Sequence, residues 1–377
     1  MVKKIKQYSG YYGCDKCTQK GRWVSGRVTY PKVDNLILRS DETHCAEMIR
    51  REQNESIPVS PFLRLPMDMI AQFPIDYMHQ ACLGVMRKLI TEWIRGDRKA
   101  RMSAVQIKEV TQRLLSLRKA IPSCFPRKPR GLEDIDRWKA TELRQFAVYT
   151  GKIVLKIILS DQLYDHFMAF SVALSLLLSP SLAVNHNKYS TDLMTYFVAK
   201  TKDLYGEQFM VYNIHSMIHL PAEAIHFGSL DACSAFPFEN FLGKIKRLVR
   251  SGKQPLVQVA KRLMEISVSP QTQSVVAAKC KLSRPNNGFI LGEGKCCEAI
   301  QERVESDESG SPVVLCKVFE KCEPLFMDPC DSRIIGCFKV QSRQCRVKLV
   351  PEQQLTRPAI LLEKNQEIVF LSILHNI

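Results

Sequence analysis

The apolar positions of this chain follow a helical period along most of its length and a strand-like period near its end. After the segment FPIDYMH, apolar residues recur every three to four positions, which predicts a helix ending near residue 95. Residues 136–220 carry the same spacing almost throughout. The predicted helices beyond residue 95 include 104–120, 161–179, 189–203, 207–220, 239–250 and 255–266.

The other segments differ in pattern. Residues 1–60 are polar and irregular, with a β-prone piece at 21–31. From residue 313 onward, short β-branched runs alternate with proline, aspartate and polar turns, which predicts a small barrel or sandwich. The acidic, serine- and glycine-rich stretch 302–312 is typical of a linker. We therefore predict an α+β chain that divides into 1–65, 66–268, a linker at 269–312 and a small β-rich C-terminal domain at 313–377.

Composition narrows the class of protein. The chain has 377 residues, a net charge of +16 and a pI near 9.2, which favour a polyanionic partner or an acidic surface, with nucleic acid the leading candidate. No signal-peptide core is evident at the N-terminus, and Pro180 interrupts the longest apolar run, 167–184. We expect a soluble protein of the nucleus or cytoplasm, neither secreted nor membrane-bound. Its fourteen cysteines are then reduced, so paired cysteines indicate metal before disulfide.

Cys14 and Cys17 form a CxxC motif in the segment GYYGCDKC. Two thiolates on a tight turn supply half of a tetrahedral zinc site. Structural thiols are one alternative, and a redox pair is another, which the lack of a surrounding βαβ pattern disfavours. The second half of a zinc site is not evident from spacing, and the candidates for it are His44, Cys45, His79 and Cys82.

Two acidic residues lie in settings that suit metal binding. Asp76 begins the motif DYMH, in which His79 follows one helical turn later, so the pair can hold a divalent metal; alternatively, Asp76 is the N-cap of the next helix. Glu239 follows an aromatic-proline segment and precedes a basic amphipathic helix, which suits a metal ligand beside a phosphate backbone. The alternative is a first-turn acid that complements the helix dipole, ahead of a solvated basic face. The basic residues are Lys244, Lys246, Arg247 and Arg250.

His215 and His219 lie four residues apart in the segment NIHSMIHL. Ser216 stands where the HExxH motif of a metalloprotease has its glutamate, so that class is excluded. We predict that the two histidines pack in the helical core, or have a structural role between that core and the segment of Glu239.

Seven segments along the chain occur in one order: GYYGCDKC, RVTYP, SPFLRLP, FPIDYMHQACLGVMRKLI, FPRKPRGLEDIDRWKATELRQFAVYTG, YNIHSMIHL and LDACSAFPFENFLGKIKRLVR. In this order they resemble transposase-derived proteins of the CACTA (En/Spm-like) group, over roughly residues 8–266. The resemblance implies a DDE/D enzyme whose ribonuclease-H-like core is interrupted by a helical insertion, here at about 97–220. The β-rich tail also looks like the end of such elements.

The chemistry that the resemblance implies is two-metal cutting and joining of DNA. Acidic side chains would hold two Mg²⁺ or Mn²⁺ ions close together, one activating the nucleophile and one stabilising the leaving oxygen. Asp76 and Glu239 match the family's acids, and His79 matches its histidine. Cys14 and Cys17 match its CxxC motif, for which a structural Zn²⁺ is expected.

The chain also departs from the family pattern. The family's first catalytic acid lies upstream of the CxxC motif, whereas the sequence here begins shortly before Cys14. The nearby substitutes, Asp15, Asp34 and Asp41, do not lie on apolar strands, and a histidine-rich step reads QNESIP. We therefore expect an incomplete, N-terminally truncated core without catalytic activity.

Three functions are compatible with these patterns. The favoured one is a truncated or domesticated transposase fragment that binds DNA without strand transfer. A second is a host interaction or scaffold protein that uses its basic surface for docking. A third is an active nuclease whose first acid comes from another position or from a partner chain. Self-association is compatible with all three.

Overall fold

The N-terminal part of the chain is a short hairpin followed by one helix. The computed structural model describes residues 9–55, 58–268, 282–304 and 312–374. The β-prone segment forms the hairpin, and a helix follows it after a polar loop. The bounds are β1 (Arg22–Val24), β2 (Arg27–Thr29) and α1 (Asp41–Glu55).

A helical body follows, largely as the apolar spacing predicts. It begins with a π-helical segment, Met78–Met86, that continues directly into α2. The helices are α2 (Arg87–Arg95), α3 (Ala104–Ser116), α4 (Ala140–Gln145), α5 (Gly151–Val154), α6 (Asp161–Leu178), α7 (Pro180–Asn185), α8 (Asn187–Tyr205), α9 (Tyr212–His215), α10 (Leu220–Phe227), α11 (Phe236–Leu248) and α12 (Pro255–Val268).

Helix α6 is the centre of this body. All of its residues from Phe167 to Leu178 are buried, and its Phe170 ring lies 5.0 Å from the Phe197 ring of α8. Buried hydroxyls on α6 find backbone acceptors, as when Ser175 donates to the carbonyl of Ser171 at 2.7 Å. The long apolar run is therefore core. Across the described part of the chain, no helix combines the length and hydropathy needed to cross a bilayer.

The C-terminal part is one antiparallel sheet of eight strands, ordered β6-β7-β10-β9-β3-β4-β5-β8. The α+β prediction is thus confirmed. The strands are β3 (Gly288–Ile290), β4 (Cys296–Val304), β5 (Val313–Phe319), β6 (Glu323–Pro324), β7 (Cys337–Gln341), β8 (Arg346–Pro351), β9 (Pro358–Lys364) and β10 (Glu367–Ser372).

Strands β3 and β4 lie inside the segment predicted as a linker, which corrects the 269–312 boundary. Residues 269–281 and 305–311 of that segment lie outside the described residues. Strand β4 was missed because its polar composition is typical of a linker. Its Glu298 is nevertheless buried, since its charge is paired with Arg284 at 2.7 Å and Lys317 at 3.4 Å. A polar residue can occupy an inner strand when its charge is paired.

The sheet also packs against the helical body. Residues of β7, β9 and β10 share the apolar core of the helices, and the backbone N–H of Leu374 donates to the Tyr149 hydroxyl at 2.9 Å. Within 9–55 and 58–268 the only strands are β1 and β2, so a core sheet of the ribonuclease-H type is not seen among those residues.

Candidate metal centre and acidic cluster

The CxxC motif lies on a loop that the N-terminal segment holds in place. The Tyr30 hydroxyl accepts a hydrogen bond from the Gly13 N–H at 3.1 Å, and Arg39 Nε donates to the carbonyls of Cys14 and Cys17, each at 3.1 Å. Both thiols are buried. These hydrogen bonds therefore hold the two sulfur atoms in fixed positions.

His215 and His219 lie opposite these thiols. His215 ends α9, and His219 ends the following 3₁₀ turn, so both side chains point to the same side. Cys17 Sγ lies 3.3 Å from His215 Nε2, and Cys14 Sγ lies 3.5 Å from His219 Nε2. The two Nε2 atoms are 3.4 Å apart. All four ligand atoms lie within 4.8 Å of one another, and all four residues are buried.

These distances fit a tetrahedral metal ion. Zinc bonds sulfur at about 2.3 Å and nitrogen at about 2.0–2.1 Å, so a tetrahedron has nitrogen–nitrogen edges of ~3.4 Å and sulfur–nitrogen edges of ~3.6 Å. Two thiolates and two imidazoles are also a donor set typical of structural zinc sites. Four protein donors leave no open coordination position, so the cluster can hold a structural ion such as zinc rather than a catalytic one.

The pKa of Cys17 is shifted in the opposite direction from those of Cys45 and Cys82, the two cysteines that the sequence offered for the second half of the site. The hydrogen bond from Cys14 lowers the pKa of Cys17 to about 7, whereas that bond and burial raise the pKa of Cys14. Burial raises the pKa of Cys82 to about 12, and burial with the Asp41 contact raises that of Cys45 to about 11. Because metals bind thiolates, Cys17 is better prepared for a metal than Cys45 or Cys82.

The structure thus replaces the sequence candidates for the second half of the site. Cys45 donates to Asp41, His79 contacts Asp76, and neither they nor His44 and Cys82 belong to the cluster. The two predicted roles of His215 and His219, packing in the core or linking it to the segment of Glu239, did not include their contacts with the CxxC loop. The sequence did contain a signal for this site. It has an HxxxH pair and a CxxC pair, and neither has further metal ligands nearby in sequence.

Asp76, His79 and Glu239 form a second group, the acidic cluster. The Asp76 carboxylate contacts His79 Nδ1, and His79 Nε2 lies 4.0 Å from Glu239 Oε1. Asp76 Oδ1 also accepts the N–H of Ala235 at 2.9 Å, which fixes the entry to α11. The structure therefore brings together residues that are far apart in sequence. Asp76 also accepts the N–H groups of Met78 and His79, so the capping role is present too.

Helix α11 carries three of the four predicted DNA-binding residues, and the fourth, Arg250, lies two residues beyond its end. Pro237 and Glu239 lie in its first turn and basic residues in its last, which suits the helix dipole. The four predicted side chains are exposed, and none forms an ion pair within the described residues: Lys244, Lys246, Arg247 and Arg250. Large apolar side chains are exposed beside them, with Phe238 at 69% on α11 and Leu256 at 82% and Met264 at 68% on α12.

Comparison with known proteins gives one match. A family described as a domain of unknown function, DUF8592, matches residues 264–373, which cover the end of α12 and the eight-stranded sheet. Its description assigns no activity. No curated protein and no solved structure matches the chain.

Proposed function

We propose that this chain is a DNA-binding protein of transposase descent, related to the CACTA group, in which a structural zinc ion fastens the N-terminal segment to the helical body. In this proposal the helices within about 97–220 are the family's insertion. The segments around Asp76 and Glu239 are the remains of a ribonuclease-H-like core.

The observation that supports the proposal most directly is the acidic cluster at the N-terminal end of α11. Asp76 and Glu239 were singled out separately in the sequence, and both flank His79, which contacts Asp76 and lies 4.0 Å from Glu239. An acidic group at the start of an exposed basic helix is where a metal ion would meet a phosphate backbone. That placement is what descent from a DNA-cutting enzyme requires.

DNA binding, and not DNA cutting, is the activity proposed. Two-metal catalysis needs carboxylate oxygens that are free to bridge two ions. Both oxygens of the Asp76 carboxylate already have two partners each: Oδ1 accepts the N–H groups of Met78 and Ala235, and Oδ2 accepts the N–H of His79 and contacts His79 Nδ1. We therefore expect no strand cleavage in Mg²⁺ or Mn²⁺. Cleavage that is lost in Glu239→Gln would instead establish a nuclease.

Salt dependence of DNA affinity tests the binding proposal. Anisotropy of a labelled duplex would be followed from about 50 to about 200 mM salt, with a steep fall in affinity expected from counterion release. The test variant changes to glutamine the three predicted cations of α11 and the one that follows its end: Lys244, Lys246, Arg247 and Arg250. Its binding should be weaker and its salt slope shallower, by up to about 0.9 for each phosphate that the variant no longer neutralises.

A charge-matched control separates α11 from net charge. Four exposed lysines of α3 and α8 are changed to glutamine: Lys108, Lys188, Lys200 and Lys202. Both variants lose the same four formal charges. Equal loss of affinity in the two would mean that binding follows net charge alone, and the assignment to α11 would fail. Absence of salt-dependent binding by the wild-type protein would reject the function.

A second candidate function is docking of a partner polypeptide on the same two helices. The exposure of Phe238, Leu256 and Met264 on two helices that contact each other favours it, because exposed apolar surface often marks an interface. Such a scaffold role would give binding that resists salt, since apolar contacts are not screened. DNA binding on this surface would give the opposite response.

A further inference from the structure

A pocket opens between the helical body and the start of α11. It has a volume of about 530 Å³, within the range of about 300–1,000 Å³ typical of small-molecule sites. Its lining is mostly apolar, with a few polar groups among the apolar ones. The residues used below are Phe125, Pro126, Asp231, Ala232 and Phe236, and we call the cavity the Asp231 pocket.

A rigid polar group holds Asp231 in place. Arg144 Nη2 donates to Asp231 Oδ2 at 2.8 Å, Arg144 Nε donates to the Tyr77 hydroxyl at 2.9 Å, and that hydroxyl donates to Asp231. The Arg144 side chain is 9% exposed and the Asp231 side chain 30%. The carboxylate is therefore the accessible member of the group, and each of its oxygens accepts one of these bonds, which leaves each oxygen able to accept another. A carboxylate anchored by a buried guanidinium offers a fixed, charged acceptor to a ligand.

Flat apolar surfaces complete the pocket. Phe125 and Pro126 come from the loop after α3, and Phe236 is the first residue of α11. The Phe236 ring packs against the Tyr77 ring, with centroids 5.8 Å apart, and the Phe125 ring packs against Tyr149 at 5.3 Å. The aromatic walls are thus braced from behind. Braced rings beside one anchored acceptor suit a planar heteroaromatic ligand that has N–H groups on its edge.

The neighbourhood of the pocket indicates where such a ligand would come from. Phe236 and Pro237 line it and also begin the basic helix α11. Asp76, which belongs to the acidic cluster, is the chain neighbour of Tyr77 and accepts from Ala235. Arg127, which is exposed, directly follows the lining residue Pro126 in the chain. Cations that attract phosphate and a pocket that accepts N–H donors thus lie on adjoining segments, which suits a nucleotide with a phosphate and a base.

We propose that the Asp231 pocket binds an unpaired DNA base, with guanine preferred. Guanine presents two adjacent N–H donors, N1–H and the 2-amino group, which a carboxylate can accept together. Adenine and cytosine present one amino group, and thymine presents one N–H between two carbonyl groups that a carboxylate repels. The inference rests on the proposed DNA-binding function for its source of bases, but not for the chemistry of the pocket.

Two ligands test this assignment on the full chain. The first is a labelled single-stranded thymidine tract with or without one central guanine, followed by anisotropy. Bidentate contacts to a base discriminate by about tenfold, so the guanine tract should bind about tenfold more tightly. The second is free 2′-deoxyguanosine compared with thymidine, followed by calorimetry. Only deoxyguanosine should give a saturable signal.

Variants assign the effect to the pocket. Ala232→Trp adds a bulky ring at the lining of the pocket while keeping both Asp231 and Arg144, and it should abolish the guanine preference while leaving salt-dependent binding by α11. Asp231→Asn removes one of the paired acceptors and should reduce the preference to less than about twofold. Asp136→Asn, at an exposed acid that pairs with Arg95, is the matched control and should behave like the wild type.

The two proposals fail in different ways. If both tracts bind equally and deoxyguanosine gives no signal, the base pocket is rejected, although salt-dependent binding through α11 stands. If the protein binds no DNA but does bind deoxyguanosine, the DNA-binding function is rejected and the pocket remains a nucleobase site. A preference for guanine that survives Ala232→Trp would place base recognition elsewhere and overturn the assignment.

Discussion

The ammonium group of Lys16 lies 2.6 Å from the carboxylate of Glu223, and both side chains are almost fully buried. Lys16 stands between the two cysteines of the CxxC motif, and Glu223 belongs to α10. Lys16 also donates to the carbonyl of Ile70 at 2.9 Å, and Glu223 accepts the N–H of Ile75 at 3.1 Å. One ion pair thus joins the CxxC loop, the approach to Asp76 and the helical body.

We expect Glu223→Gln to destabilise the protein by about 3–5 kcal/mol, because it leaves a buried ammonium group without its counter-charge. Chemical denaturation would measure the decrease in the free energy of unfolding. The matched control is Asp192→Asn, which removes an exposed ion pair with Lys188 at 3.6 Å and should cost less than about 1 kcal/mol. Equal costs in the two variants would show that burial of the Lys16 pair has no energetic weight.

Zinc content should depend on residues from both ends of the cluster. We expect the purified protein to hold a single equivalent of zinc by elemental analysis, and Cys17→Ser or His219→Ala to lose it, since each removes one of four ligands. Cys45→Ser is the control, because Cys45 bonds to Asp41 and lies outside the cluster. Zinc-free protein with full stability would exclude a structural metal.

The buried His166 makes stability depend on pH. Burial lowers its pKa from 6.5 to about 4, and its Nε2 bonds to the carbonyl of Phe197 at 2.9 Å. Because the unfolded chain binds the proton more readily, this group lowers stability as pH falls from about 6.5 towards 4, by about 2 kcal/mol at pH 5. His166→Gln should show a smaller decrease than the wild type between pH 7 and pH 5. Parallel curves for the two proteins would contradict this.

Asp76 should hold the start of α11 in position. Asp76→Ala removes the acceptor of the Ala235 N–H and of the helix N-terminus, and we expect it to cost about 1–2 kcal/mol. Hydrogen exchange at Ala235 should accelerate more than the global destabilisation explains. Asp76→Asn keeps one acceptor and should have a smaller effect. An unchanged exchange rate at Ala235 in Asp76→Ala would show that Asp76 does not hold the start of α11 in position.

Local pattern was enough to predict the helices but not the metal centre. The spacing of apolar residues located α6, α8, α11 and α12 because each buries or presents one face within its own segment. The cluster joins Cys17 to His215 across 198 positions of sequence. No periodicity carries that information, since it depends on how whole segments dock.

Two other features were missed for a different reason. Glu298 and Asp231 are charged residues in partly or fully enclosed places, and charge is normally evidence of exposure. Their partners, Arg284 and Arg144, lie 14 and 87 positions away in sequence. A charged residue can be predicted to be buried only when its partner is known. For this reason strand β4 was predicted as a linker, and the Asp231 pocket was not predicted from the sequence.

Because apolar residues are exposed on α11 and α12, the protein should stay free of self-association only over a narrow range of ionic strength. At low salt, the positive charges beside Phe238 and Met264 keep molecules apart. As added salt shortens the Debye length to about 8 Å and below, that repulsion fades while apolar attraction persists. The concentration at which the protein self-associates should therefore fall with salt. In a titration that tests the proposed DNA binding, turbidity and dissociation of DNA would both increase with salt, so light scattering is needed to distinguish dissociation from precipitation.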